Sequence, residues 1–183
     1  MNFRQYLESI EDDEYETGAD EDTPHSAYDN TQGARRWGNQ GAGILPIART
    51  TGRLLLNFRS KHVNEGRQWG VWGGKVDENN LEAAARREFI EETGYHGNIQ
   101  MIPAFRYSEP GFIYQNFIGL LDDEFDPNLN WESEGFKWVD INELKEIRPM
   151  HFGLAGLLKN SGSQIQAIIQ KMKKPNQQRN LFQ

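Results

Sequence analysis

The stretch Gly73-Gly-Lys-Val-Asp-Glu-Asn-Asn-Leu-Glu-Ala-Ala-Ala-Arg-Arg-Glu-Phe-Ile-Glu-Glu-Thr-Gly-Tyr95 decides how this chain is read. Its pattern predicts a helix over Leu81 to Thr93: Asn79 is placed to cap it with Glu82 as box partner, alanines favour the helical state, and Gly94 stands at a left-handed C-cap. Within it, Glu88, Glu91 and Glu92 are spaced i,i+3 and i,i+4, so three carboxylates are expected on one face within a few ångströms. Alone they repel, and they sit in the C-terminal half, where the macrodipole already disfavours acids. A solvated charged face is the plain alternative. A divalent cation reverses the sign of the interaction, since clustered carboxylate oxygens suit Mg²⁺ or Mn²⁺.

Around this helix lie short strand patterns. Gly41 to Ala48 and Arg53 to Arg59 read as two strands around a Thr-Gly turn, with further strands at Trp69 to Trp72, Ile99 to Arg106, Phe112 to Leu121 and Phe136 to Val139. A short helix is expected at Ile141 to Ile147 and a last one from about Ser163 to Lys174. Strands and helices mixed without regular alternation indicate an α+β fold. The division expected is an acidic, largely flexible arm over 1–38, a domain over 39–160, a C-terminal helix over 161–174 and a polar tail over 175–183.

The 183 residues carry 20 Lys and Arg against 27 Asp and Glu, a formal charge of −7. Such a surface has no general attraction for nucleic acid or anionic lipid, so a phosphate partner must be held locally. With no cysteine, disulfides, thiolate metal sites and thiol nucleophiles are excluded. No apolar run approaches the roughly 18 residues that a membrane helix needs, and a soluble cytoplasmic protein is expected, a homodimer being left open. The four histidines are scattered without ligand spacing.

The quoted stretch resembles the signature of the Nudix hydrolase family, in which a Gly and a Glu precede Arg-Glu, an aliphatic, any residue, Glu-Glu, any residue and Gly. Arg87 to Tyr95 matches the second half, with Phe89 at the aliphatic position, and the likeness extends from about Gly41 to Ile147. Asn79 stands where the first Glu belongs, and counted from Gly74 the box is one residue short. The resemblance implies a mixed sheet sandwiched between helices (α/β/α) and Mg²⁺, with Mn²⁺ as substitute, held by Glu88, Glu91 and Glu92. It implies hydrolysis of a nucleoside diphosphate linked to another group, by attack of water on phosphorus. The general base is expected from the helix (Glu91) or from a loop acid, Glu132 with Glu134 in reserve. Arg87 is expected to orient a helix carboxylate.

Substrate contacts are sought at Gly74, Lys75, Arg59, Arg106, Pro110 and Phe112. Pro110 lies fifteen residues after Tyr95, in a Pro-Gly-Phe segment similar to that of ADP-ribose hydrolases of the family, and this favours ADP-ribose. Trp72-Gly73-Gly74-Lys75 instead resembles members acting on (d)NTPs and oxidised nucleotides. Trp69, Phe105, Tyr107, Phe112 and Tyr114 are candidates to stack on a base. Two other classes stay open: a catalytically weak nucleotide-binding module, which the missing first Glu favours, and a tail that docks on a partner through Gln178-Arg-Asn-Leu-Phe182.

Overall fold

The computed structural model describes residues 39–76 and 80–173. The expected N-terminal arm and C-terminal tail, the tail peptide and Asn79 lie outside these residues. Seven strands form one mixed sheet: β1 (Gln40–Ala48), β2 (Leu54–Arg59), β3 (Trp69–Gly70), β4 (Trp72–Lys75), β5 (Ile99–Glu109), β6 (Phe112–Leu121) and β7 (Ser133–Val139). Two helices, α1 (Leu81–Thr93) and α2 (Phe152–Lys173), and a 3₁₀ turn over Ile141–Glu146 complete the order.

Strand β1 runs through the middle. Its whole length pairs parallel with β6, from Gln40 opposite Ile113 to Ala48 opposite Leu121. Its other edge is divided, with Gly41 to Ile44 antiparallel to β4 and Ile47 opposite Leu54 of β2. The segment expected as one strand from Trp69 to Trp72 is therefore two, because the chain leaves its pairing with β2 at Gly70 and joins β1 from Trp72.

Both faces of the sheet are covered, which is why β1 and β2 read as nearly unbroken apolar runs. Leu45, Ile47, Leu54 and Leu56 point to one core with Leu154, Leu157, Leu158, Ile165 and Ile169 of α2. Ala42, Ile44, Ala48 and Leu55 point to the other, with Ala84, Ala85 and Phe89 of α1. This is the expected α+β sandwich, with one helix on each face.

Two helix boundaries differ from expectation. Asn80, not Asn79, caps α1, and its side chain accepts from both Glu82 and Ala83 N–H at 3.1 Å. With the cap one residue later, Glu82 is too close in sequence to close a box. At the other end Gly94 is left-handed (φ 66°) and donates to Ile90 O, as predicted. Helix α2 begins at Phe152, eleven residues before the expected Ser163. Gly153, Gly156 and Ser161-Gly162-Ser163 look like breakers in isolation. Burial of Leu154, Leu157 and Leu158 against the sheet outweighs that weak preference.

Candidate active site

Helix α1 lies across β1 and β4, so its buried stripe Ala84, Ala85, Phe89 continues to Glu92. Only 2% of Glu92 is exposed, and its Oε2 accepts from Gly73 N–H at 3.0 Å. Two glycines make that approach possible. Gly73 has φ +146°, and a Cβ there would lie 2.2 Å from Ala42 O. A Cβ on Gly74 would lie 2.7 Å from Glu88 Oε2. Counted from Gly73, five residues precede Asn79, so the signature keeps its spacing and lacks only the acid.

Glu88, Glu92 and Glu132 line one cleft of about 450 Å³ with Gly73, Gly74, Lys75, Arg87 and Arg59. The acids sense one another. Burial above all, then the charge of Glu132, raises the Glu92 pKa well above the ordinary carboxylate range, opposed by Arg59 and the Gly73 N–H, and Glu88 adds to the rise. Burial likewise raises Glu88 against the pull of Arg87, helped by the charges of Glu91 and Glu132. Arg87 Nη1 lies 2.8 Å from Glu88 Oε1.

The expected triad is not closed. Glu91 is exposed, lies 3.4 Å from Arg87, and lines a separate depression on the outer flank of α1 with Arg86 and Ile90. Among the described residues no three acidic or histidine side chains converge tightly enough to hold an ion as they stand. Helical spacing put the three acids on one face, but one residue is about 100° of rotation, and packing of Phe89 sends Glu92 inward and Glu91 out.

Of the two loop acids, Glu132 reaches the cleft, while Glu134 accepts from Lys61 N–H at 2.9 Å and is exposed. Arg59 is 8% exposed, and its guanidinium donates to Asn64 O at 2.7 Å and Glu65 O at 3.3 Å. That loop, residues 60–68, is tied in turn to His151, whose Nε2 lies 2.6 Å from Glu65 Oε2. Arg106, Pro110 and Phe112 lie on the β5–β6 hairpin and are not among the cleft-lining residues. Nor are Trp69, Phe105, Tyr107 and Tyr114; the Tyr114 ring lies across Gly41 and Gly43. Trp131, Val63 and Asn64 do line the cleft and were not singled out in the sequence, although Trp131 directly precedes Glu132, and His62, set aside there with the other histidines, lines it too.

A family model described as NUDIX domain matches residues 39–160, 122 of the 183 residues. The chain belongs to the NUDIX domain family. It is accordingly a Nudix hydrolase, a pyrophosphohydrolase by class. Solved structures with the same fold include the Nudix hydrolase RenU from M. Smegmatis, at 22% identity over 72% of this chain and 86% of that one, TM-score 0.59. The NUDIX domain of Shewanella oneidensis NrtR, complexed with ADP ribose, matches at 17% identity over 69% and 87%, TM-score 0.54. A C. elegans Ap4A hydrolase matches at 22% over 70% and 97%, TM-score 0.52. No curated protein matches the chain in sequence. At these identities the structures share the Nudix fold with this chain.

Proposed function

We propose that this Nudix hydrolase cleaves the diphosphate linkage of a nucleoside diphosphate derivative, ADP-ribose first among them, with a divalent cation held by Glu88, Glu91 and Glu92 and faced by Glu132. The observation that supports this most is Glu92, a carboxylate almost wholly removed from water beside two other acids. Such an arrangement costs stability, and hard oxygen donors are what Mg²⁺ or Mn²⁺ takes. When bound, the ion offsets phosphate charge and makes water more acidic. Glu91 joins the set by leaving Arg87, a contact long enough at 3.4 Å to be weak.

The chain's own groups divide the remaining work. Arg59 and Lys75, on the cleft walls, hold the diphosphate oxygens. Arg87 keeps Glu88 oriented through the 2.8 Å contact. Glu132 takes the proton of the attacking water as its oxygen bonds to phosphorus and the anhydride P–O bond breaks, a role worth about 10² to 10⁴ in rate.

A second reading is a (d)NTP or oxidised-nucleotide substrate, favoured by Trp72-Gly73-Gly74-Lys75. Incubating the protein with ADP-ribose, a dinucleoside polyphosphate, a nucleotide sugar and (d)NTPs, with and without Mg²⁺, separates the two. Mg²⁺-dependent product is expected, most from ADP-ribose. Binding without product for every compound overturns it in favour of a non-cleaving nucleotide-binding module.

A further inference from the structure

Trp131 is 66% exposed, the most exposed large apolar side chain among the described residues, in a fold that leaves Trp72 at 0% and Trp138 at 7%. Single exposed apolar residues are ordinary; the position of this one is not. It lines the same cleft as Glu88, Glu92, Glu132, Arg59 and Lys75. The backbone beside it is fixed rather than loose: Glu132 N–H donates to Asn130 Oδ1 at 2.9 Å, and Glu132 O accepts from Ser60 N–H at 2.8 Å. Through that second bond the Trp131 segment abuts the 60–68 loop, from which exposed His62 also lines the cleft. The rest of the lining is mostly charged or backbone, suited to phosphate and ribose hydroxyls.

We infer that Trp131 is the platform on which the nucleobase of the substrate stacks, so that this cleft selects diphosphates carrying a heteroaromatic base over those carrying sugars alone. The inference rests on the hydrolytic reading of the same cleft. An indole stacks on any base, because every base has a π face, and it gives affinity without choosing among bases. His62 adds a second flat ring on the neighbouring loop. Selection between bases must then come from elsewhere, and the residue acts on substrate binding, not on bond breaking.

The test compares wild type, Trp131→Ala and Trp131→Phe in Mg²⁺ with ADP-ribose and with P1,P2-diribosyl diphosphate, which lacks a base. Trp131→Ala should raise KM for ADP-ribose roughly 10- to 100-fold with kcat nearly unchanged, Trp131→Phe should recover most of it, and KM for the base-free compound should not move. Independently of turnover, AMP should quench the tryptophan fluorescence of wild type and not that of Trp131→Phe. An unchanged KM in Trp131→Ala, or a quench that survives in Trp131→Phe, overturns the inference. Failure of the hydrolytic reading looks different: wild type releases no product from any diphosphate, and the AMP quench still decides whether the indole meets a base.

Discussion

Glu92 is the residue on which chemistry and folding disagree. Its burial raises its pKa, so above the unfolded value near 4.5 the folded state pays to ionise it, and stability declines as pH rises through that window. Glu92→Gln keeps an acceptor for Gly73 N–H while removing the charge. Its kcat/KM should fall further than that of Glu132→Gln, whose loss is that of a base, about 10²- to 10⁴-fold; steady-state kinetics at fixed Mg²⁺ check the order. His151 titrates the other way. Burial lowers its pKa against the contact with Glu65, and Arg59 lowers it further. Below the unfolded value near 6.5 the unfolded chain therefore binds more protons, and stability falls as pH drops. Urea melts at pH 7.5 and 5.5 should show wild type losing more stability between them than His151→Gln, and equal losses would remove His151 from the account. In the sequence Glu92 stood among the candidate metal ligands without any sign of its burial, and His151 was given no role. The histidine looked isolated, because its partner is held by a loop turn at φ 52° and 86 positions away in the chain (151 − 65).

Helix α1 was largely legible because its signals are local: alanines inside, Gly94 at the end, and an Asn at the start, misplaced by one. Which of its acids faces inward was not, since that depends on where Phe89 and Ala85 pack on β1 and β4. Helix α2 shows the opposite limit, for its first turns carry weak formers and exist through contacts with strands far away in sequence. The Gly73-Gly74 segment of β4 links the two scales, because it is glycine that lets backbone approach the acids. Gly73→Ala combines a φ of +146° with a Cβ 2.2 Å from Ala42 O, and backbone strain of this kind costs about 1–3 kcal/mol. Thermal melts should show that loss together with loss of activity, whereas a fully stable, active Gly73→Ala protein would show that the approach is unnecessary.

At the scale of the whole molecule, a chain of formal charge −7 brings three of its acids together in the cleft proposed to take a diphosphate. Arg59, Lys75 and Arg87 line it too and equal Glu88, Glu92 and Glu132 in number, with Arg87 already paired to Glu88. Among the described residues no helix is long and apolar enough to cross a membrane. Composition and the Arg87 to Tyr95 motif made the sandwich and the turn of helix readable. They did not reveal the meeting of three separate segments, β4, the 60–68 loop and the loop ending at Glu132, because such meetings are set by sheet register. The direct test is thermal melting at pH 8 with and without millimolar Mn²⁺ or Mg²⁺, for wild type and Glu92→Gln. The ion should raise the wild-type melting temperature, and Glu92→Gln should melt higher than wild type without metal and respond little to it. A wild-type melting temperature indifferent to both ions, or a Glu92→Gln protein stabilised by them as strongly as wild type, would contradict the metal assignment.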